Sequence, residues 1–484
     1  MGDFDYHLIL PVLSLAAFGL LAMLLASTFR GNSRAAIFPA VAGILFSGFS
    51  LVRLWDRWLM DGPMTTAFEA VRVDGFGMFV AFLVLLTGLL TVLTSISFIE
   101  REGIDHGEFY ALLMFCLAGM LIMLMTTHMM IILIGLEIFS LALYVLTGLT
   151  RGRVRSIEAA LKYFLLGAFS SGFIVYGMAL LYGATGSLDL GRIGHAASAQ
   201  PTAMLWAGLG LVLVGLAFKI AIVPFHQWVP DVYTGAPTNV TGFMAAATKT
   251  VAFAVLLRLL IGSFGDVDGL WQPLIKWLAI FTMTVGNLVA LAQTNLKRLL
   301  AFSSISHAGY LLIAVVCRPE MGVSAILFYL IGYSVVTVGA FAVLAAVGRG
   351  DADGERGYTL HEWAGLGWKR PLLGVAMTLF LLSLAGIPPT GGFLGKYVIF
   401  QAAIASEQYL LAVVGVLNAA IAAYYYLNVM VSMYFRQPAD DEMPLPVAPG
   451  SAAVMVIAVV GLLYLGLAPG PILELIQTLA GSLL

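Results

Sequence analysis

Charged residues are scarce in this chain. Of 484 residues, only 10% are Asp, Glu, Lys or Arg, against roughly a quarter in soluble domains, and the mean hydropathy is +0.98. This composition excludes a water-soluble fold. The formal net charge of -2 provides no bulk charge for binding nucleic acid or an acidic partner. The expected surroundings of the chain are a lipid bilayer, and its partners are expected there.

Cysteine is nearly absent as well. Cys116 and Cys317 lie in separate apolar runs, which argues against a disulfide framework, a Cys-ligated iron–sulfur cluster and a structural zinc site. Other metal ligands are scarce within the apolar runs, and no Ser–His–Asp or phosphate-loop pattern occurs. We therefore expect no metal and no cofactor to be bound by this chain.

Long apolar runs dominate the sequence. A bilayer core requires about 20 apolar residues per helix, so dividing the chain at charged, Gly and Pro clusters predicts an all-α integral membrane protein with about 14 transmembrane helices. The predicted spans are 7–28, 35–55, 75–98, 108–125, 128–149, 156–183, 203–224, 238–262, 271–291, 298–317, 322–347, 371–401, 408–435 and 450–476. The first span follows no basic segment or cleavage site and is expected to be retained. Basic residues fall mainly in alternate loops, which predicts that both termini are periplasmic.

Several ionisable residues fall within these apolar spans. A charge in the middle of a membrane helix costs at least about 2.5–3.5 kcal/mol on insertion scales, so such residues are candidates for function. Five of them lie deep in five different spans: Glu137, Lys219, Lys249, His307 and Lys396. Lys162 is a sixth candidate, but it lies closer to the cytoplasmic end of its span and could snorkel to the interface.

The alternative for each residue is a structural ion pair or a hydrogen bond that fixes helix packing. Three lysines and a glutamate in separate helices favour function, because packing alone would tend to replace them with apolar residues. Burial lowers the pKa of a lysine and a nearby carboxylate raises it again, which suits proton transfer. Asp74, Glu158 and Arg258 lie near span ends and are predicted to be interfacial anchors. Tyr424, Tyr425 and Tyr426 are predicted to serve packing.

Two spans contain helix breakers next to a buried lysine. Pro224 follows Lys219, and the segment IPPTGG precedes Lys396. Prolines and glycines interrupt helical hydrogen bonding. Such breaks occur within membrane spans only where protein or water forms hydrogen bonds with the freed backbone groups. Broken helices at corresponding places suggest inverted repeats. We predict one membrane domain over 1–484 with three N-terminal helices (1–100), a first five-helix repeat of spans 4–8 (108–262), a second repeat of spans 9–13 (271–435) and a C-terminal helix (450–484), with helices 7 and 12 broken.

Four stretches resemble the subunit N family of bacterial respiratory complex I, whose mitochondrial counterpart is NADH dehydrogenase subunit 2. They are GLEIFSLALY (135–144), FKIAIVPFHQWVPDVYTGAPTNVTGFMAAATK (218–249), QTNLKRLLAFSSISHAGYLL (293–312) and SLAGIPPTGGFLGKY (383–397). The related M and L subunits share the fold, but a lysine at 396 and the absence of a long C-terminal extension favour N. Asn239 replaces the proline usual after GAPT, and Thr390 and Gly391 also depart from the family pattern; none of these is an ionisable position.

The resemblance implies roles for the buried residues. Glu137 would tune Lys219, Lys249 and His307 would relay a proton along a hydrated central axis, and Lys396 would lie on the exit side. The partners would be the other membrane subunits of complex I, namely M and L and the small subunits K, J, A and H, in a bacterial inner membrane. NADH, FMN, iron–sulfur clusters and quinone would be bound elsewhere in the assembled complex.

Two other functions are compatible with the sequence. A subunit of a multisubunit sodium/proton antiporter would share the fold and the broken helices but would have no redox partner. A structural membrane scaffold would use the buried charges only as fixed internal ion pairs.

Overall fold

The computed structural model describes residues 4–29, 33–67, 70–103, 107–351, 354–437 and 446–483, and these residues are mainly helical. Three long helices come first: α1 (Tyr6–Thr28), α2 (Ile37–Asp61) and α3 (Gly75–Arg101). A 3-10 turn (Ser33–Ala36) precedes α2. The antiparallel hairpin of β1 (Met64–Thr66) and β2 (Val71–Val73) joins α2 to α3, with Thr65 opposite Arg72.

The next part of the chain extends from residue 108 to residue 260. It contains α4 (Glu108–Leu124), α5 (Met129–Thr147), α6 (Val154–Thr185), α7 (Leu190–Ala199), α8 (Ala203–Ile220), α9 (Trp228–Gly235), α10 (Thr238–Phe243), a π-helical turn (Met244–Thr248) and α11 (Lys249–Leu260). The short helix α7 lies in a connection for which the sequence predicts no helix. The Asp189 side chain caps it by accepting a hydrogen bond from the Arg192 amide at 2.9 Å.

The remaining helices follow in a similar order. After a 3-10 turn (Gly265–Val267) they are α12 (Asp268–Ala290), α13 (Leu296–Val315), α14 (Pro319–Val347), α15 (Leu366–Lys369), α16 (Pro371–Ala385), α17 (Gly391–Ala405), α18 (Tyr409–Phe435), α19 (Pro449–Leu467) and α20 (Gly470–Gly481). A second antiparallel hairpin, β3 (Arg349–Asp351) with β4 (Gly354–Arg356), follows α14.

The predicted membrane-helix class is confirmed. Twelve helices in the described residues are long and apolar enough to cross a membrane, and three further apolar helices, α4, α16 and α17, are shorter. The predicted number of 14 spans and the two inverted repeats remain predictions. The span predicted over 450–476 consists of two helices, because Pro469 and Pro471 flank the start of α20 and cannot continue α19.

The interior of the protein is formed by three segments. The apolar window of Thr238–Leu260 is 100% buried, and those of α13 and α14 are 94% buried, whereas those of α1, α6 and α19 are 33% buried. Lys249 and His307 are both on these interior segments. Their side chains therefore face protein on every side and are shielded from lipid.

One buried ion pair ties the N-terminal helices to the interior. The Arg258 guanidinium donates to both carboxylate oxygens of Asp74, at 2.7 and 2.8 Å, and to the Leu124 carbonyl at 3.0 Å. The side chains of Arg258 and Asp74 are 4% and 0% exposed. Asp74 also caps α3 by accepting from the Gly77 amide at 2.7 Å. The prediction of interfacial anchoring is wrong for these two residues, because the fold covers the helix ends; Glu158 is 55% exposed, in keeping with that prediction.

Asp74→Ala should destabilise the protein by about 3–5 kcal/mol, because it leaves the Arg258 charge buried without its partner. The measurement is thermal unfolding in detergent. As a matched control, Arg34→Ala breaks the exposed Arg34–Glu100 pair and should change the stability much less, because water screens that pair. Equal losses of stability in the two variants would show that the buried Asp74–Arg258 pair stabilises the fold no more than an exposed pair does.

Candidate functional site

The helix that carries Lys219 ends in the middle of the apolar run, as predicted. Ala221 adopts a left-handed conformation with φ of 70°, and the Ile222 amide donates back to the Ala217 carbonyl at 2.8 Å. This hydrogen bond is the pattern of a Schellman helix end. The chain resumes as α9 after Pro224, so Lys219 lies in the last turn of α8.

Lys219 is 4% exposed and is held by hydroxyl groups. Its ammonium group donates to Ser140 Oγ at 2.8 Å and to the Tyr144 hydroxyl at 3.3 Å. Four aromatic rings surround it with centroids at 5.5–5.8 Å from Nζ: Phe139, Tyr144, Tyr163 and Phe218. Ring faces attract a cation, so neutral groups alone provide the direct contacts of this charge.

Glu137 lies near Lys219 but does not contact it. The Glu137 carboxylate accepts a hydrogen bond from the Ser171 hydroxyl, and no carboxylate oxygen of the described residues lies within 4.0 Å of Lys219 Nζ. Ser140 is three residues after Glu137 on α5, which places both side chains on one face of the helix. Ser140 accepts from Lys219, so the lysine is bonded to the helix that carries Glu137, without a direct contact between the two charged groups.

Lys249 follows the π-helical turn Met244–Thr248. Such turns insert one extra residue into a helix and occur frequently at functional sites. The ammonium group donates to the Ser304 carbonyl and to Ser304 Oγ, the latter at 2.7 Å. It also lies 5.0 Å from the centroid of the Tyr333 ring. Tyr333 donates from its hydroxyl to the same Ser304 Oγ at 2.8 Å, so one serine joins α11, α13 and α14.

His307 lies next to this group. It is 3% exposed, and its Nδ1 and Nε2 atoms are 2.5 Å and 3.2 Å from the hydroxyls of Tyr329 and Tyr426. The His307 and Tyr333 ring centroids are 5.1 Å apart. Hydrogen bonds thus join Lys249 to Ser304 and Ser304 to Tyr333, and the Tyr333 ring in turn contacts His307. The aromatic partners were missed from the sequence, because a tyrosine in an apolar helix is commonly a packing residue.

Lys396 lies beyond the second break, which is also confirmed. α16 ends with Gly386 at a φ of 86°, and the Ile387 amide donates to the Leu382 carbonyl at 3.0 Å. The Lys396 ammonium donates to the Leu384 and Ala385 carbonyls, both at 2.9 Å. These carbonyls belong to the last turn of α16, which has no intrahelical donors. The broken helix therefore supplies the oxygen atoms that hold this charge.

Lys162 is not part of this buried line. Its side chain is 41% exposed and lies 2.7 Å from a Glu158 carboxylate oxygen and 2.8 Å from an Asp231 carboxylate oxygen. Arg298 donates to the other oxygen of Asp231 at 2.8 Å. These residues line an open polar cavity between α6, α9 and α13, together with Arg155 and Asn295. The structure matches the alternative that Lys162 reaches the interface.

Comparison with known proteins identifies the family. Residues 126–422 match the family model described as NADH:quinone oxidoreductase/Mrp antiporter, TM. The chain belongs to this family. A protein of Trichlorobacter lovleyi named NADH-quinone oxidoreductase subunit N is 43% identical over 98% of this chain and 96% of its own length. A protein of the same name from Chloroflexus aggregans is 39% identical over 98% of this chain and 96% of its own length.

Solved structures agree with this assignment. A chain of respiratory complex I from Thermus thermophilus is 38% identical, with a TM-score of 0.80 over 96% of this chain and 98% of that one. A chain of the Mrp complex from Dietzia sp. has a TM-score of 0.87 over 99% of this chain and 98% of that one, but it is 23% identical and shows the fold alone. The candidate site of this NADH:quinone oxidoreductase/Mrp antiporter family member stays a prediction: the buried line of Lys219, Lys249, His307 and Lys396, with Glu137 beside it.

The described residues of this family member contain no group of three or more His, Cys, Asp or Glu side chains suited to a metal ion. Cys116 and Cys317 are free and buried. The chemistry that the site does support is transfer of protons between amines, hydroxyls and an imidazole, all of which donate and accept hydrogen bonds.

Ser304→Ala should lower the free energy of unfolding by about 1.5–3 kcal/mol, because the Ser304 hydroxyl is bonded to a buried ammonium group. Ser50→Ala is the control: Ser50 is also buried, but its hydroxyl bonds only within α2, to the Phe46 carbonyl at 2.9 Å. The Ser50→Ala substitution should lower the free energy of unfolding by less than Ser304→Ala does. Thermal unfolding of the detergent-solubilised protein compares the two, and equal losses would contradict the bridging role of Ser304.

Proposed function

We propose that this chain is a proton-translocating membrane subunit of NADH:quinone oxidoreductase, respiratory complex I, corresponding to its subunit N. Support for the complex comes from curated relatives of that name that match 98% of the chain. Support for proton translocation comes from one structural observation: Lys219, Lys249, His307 and Lys396 are buried and bonded to neutral oxygen atoms or hydroxyl groups.

The neutral partners suit a proton carrier. An ammonium group that is hydrogen-bonded to neutral oxygens can lose its proton without leaving a buried carboxylate unpaired, which an ion pair would do. The resulting amine still accepts a hydrogen bond from a hydroxyl such as Tyr144 or Ser140. Lys219 can therefore be accommodated in both protonation states at its position.

Lys249 and His307 form the central step of the proposed relay. Ser304 and Tyr333 lie between them and can both donate and accept a hydrogen bond. Because like charges repel strongly in a medium of low dielectric constant, protonation of Lys249 disfavours protonation of His307 at the same time. Lys249 and His307 then hold one extra proton between them at a time. Once that proton has passed to Lys396, both residues are neutral again. We infer that Glu137 controls whether Lys219, at the other end of the buried line, is protonated.

The energy for this transfer would come from quinone reduction in other subunits. The assembled complex would bind NADH, FMN, iron–sulfur clusters and quinone there. The membrane partners would be the antiporter-like subunits M and L and the small subunits K, J, A and H. The location would be a bacterial inner membrane with both termini periplasmic, as the distribution of basic residues predicts.

A sodium/proton antiporter subunit is the second candidate. It is favoured by the family description, which covers both oxidoreductase and Mrp antiporter proteins, and by the similarity to the Mrp complex, which at 23% identity shows the fold alone. The relatives at about 40% identity over nearly the whole chain are named as oxidoreductase subunits, which makes the antiporter the weaker interpretation.

Lys219→Ala should leave the complex assembled but lower quinone reductase activity and proton pumping by about tenfold or more, because it removes a positioned proton carrier. Both rates are measured in membrane vesicles and normalised to the amount of assembled complex. Lys276→Ala is the control: this lysine, also on a membrane helix, bonds only to Gln408 at 3.2 Å among the described residues. Unchanged pumping by an assembled Lys219→Ala complex would refute the site.

A tagged chain should retrieve a large assembly that oxidises NADH with a quinone acceptor after gentle solubilisation. We expect this because curated relatives are named as subunits of NADH-quinone oxidoreductase. In our proposal the redox centres are in other subunits, so activity requires the assembly. Retrieval of only small membrane subunits, with sodium-dependent proton exchange after reconstitution, would instead favour the antiporter.

A further inference from the structure

Two buried asparagines pair between α12 and α18, away from the lysines. Asn287 is 0% exposed and Asn418 is 4% exposed. The Asn287 amide donates to Asn418 Oδ1 at 3.1 Å, and the Asn418 amide donates to Thr284 Oγ1 at 3.3 Å and to the Val414 carbonyl at 3.0 Å. Buried amides are costly unless they are hydrogen-bonded, and these two satisfy each other within the membrane-spanning part of the chain.

The pair is connected to His307. Tyr425 donates from its hydroxyl to Asn287 Oδ1 at 3.1 Å, and its ring lies against that of Tyr426, with centroids 4.4 Å apart. Tyr426 is the residue whose hydroxyl contacts His307 Nε2, and it is also hydrogen-bonded to Ser303. Tyr425 thus packs against the residue whose hydroxyl lies beside the imidazole.

Another tyrosine, Tyr310, lies next to both His307 and Lys396. The ring centroid of Tyr310 lies 4.9 Å from Lys396 Nζ and 6.0 Å from the His307 ring centroid. The Tyr310 hydroxyl is buried and has no hydrogen-bond partner among the described residues. The hydrogen bonds of Asn287 therefore reach this part of the site through Tyr425, whose ring packs against Tyr426 beside His307.

A role in helix association alone would explain the Asn287–Asn418 bond, since side-chain amides commonly bond across membrane helices. It would not explain why Asn287 Oδ1 accepts a hydrogen bond from Tyr425. The Tyr425 ring packs on Tyr426, the hydrogen-bond partner of His307. An amide offers a donor and an acceptor in fixed directions and does not ionise. It is suited to orienting hydroxyl groups without itself carrying a proton.

We propose that Asn287 is a positioning residue that, with Asn418, orients the Tyr425 hydroxyl and so fixes the packing of Tyr425 against Tyr426, whose hydroxyl contacts His307. This inference rests on the proposed proton-translocating function. Without Asn287, the lysines and the histidine keep their own hydrogen bonds, but the Tyr425 hydroxyl loses its acceptor and the ring packing beside His307 is less firmly held.

The test uses the whole complex carrying Asn287→Leu, which is similar in size and removes both hydrogen-bonding groups. Quinone reductase turnover and proton pumping are measured per assembled complex, in H2O and in D2O. We expect both to fall by about threefold or more, because displaced groups transfer protons more slowly, and we expect the solvent isotope effect on turnover to rise. Asn287→Gln keeps an uncharged amide with a donor and an acceptor and should restore part of the rate.

The matched control is Asn239→Leu. Asn239 is a buried asparagine that donates to Ser95 on α3 at 2.6 Å, away from this segment, and its substitution should leave turnover per complex and the isotope effect unchanged. A purely structural role for Asn287 would reduce the amount of assembled complex while the remaining complex keeps a normal rate and isotope effect. That result would overturn the proposal.

Two further variants distinguish a failure to assemble, and a failure of the proposed function, from a failure of the positioning role. If Asn287→Leu fails to assemble, Tyr425→Phe removes only the hydroxyl that bonds to Asn287; a slower rate with a larger isotope effect supports the proposal, and normal values overturn it. Lys219→Ala is measured in parallel. A defect in Lys219→Ala with normal behaviour of Asn287→Leu and Tyr425→Phe overturns the positioning role alone, whereas normal pumping by Lys219→Ala overturns the proposed function itself.

Discussion

Positive charge buried inside the protein is the constraint on which this structure depends. Each buried lysine of the site donates to oxygen atoms without net charge: hydroxyls for Lys219, a carbonyl and a hydroxyl for Lys249, and two carbonyls for Lys396. In the described residues no carboxylate lies within 4.0 Å of any of them. Arg258 is different, because Asp74 binds it through both carboxylate oxygens. A guanidinium does not release its proton, so its charge is permanent and a fixed pair suits it.

The helix breaks meet this constraint in two ways. At the second break, the open end of α16 supplies the Leu384 and Ala385 carbonyls to Lys396. At the first break, the indole of Trp228 donates to the Phe218 carbonyl at 2.9 Å, and Lys219 takes its acceptors from α5. The two helix ends have the same backbone pattern, because both return an amide to a carbonyl five residues earlier. The chemistry around the lysines nevertheless differs between them.

The parts of this arrangement that could be predicted from sequence are those that violate the composition of a membrane helix. Lys219, Lys249 and Lys396 are conspicuous because charge is expensive in an apolar span, and Pro224 and Pro389 because they interrupt helical hydrogen bonding. Ser304, Tyr333 and Asn287 are inexpensive in a membrane helix, so nothing in the sequence distinguishes them from packing residues. The Asp74–Arg258 pair was missed for another reason: counting spans treats each helix separately, and only the packing of α3 against α11 buries those helix ends.

Tyrosine has two functions in this site. A tyrosine ring lies 4.9–5.8 Å from each buried ammonium group: Tyr144 and Tyr163 at Lys219, Tyr333 at Lys249 and Tyr310 at Lys396. The ring face stabilises the charged state. The hydroxyl of the same residue can donate to the neutral amine or pass a hydrogen bond onward, as the Tyr333 hydroxyl does toward Ser304. Phenylalanine would provide only the first function and serine only the second. A residue that stabilises a lysine in both protonation states keeps their energies close, and this closeness allows a proton to move through a medium that would otherwise hold it in one place.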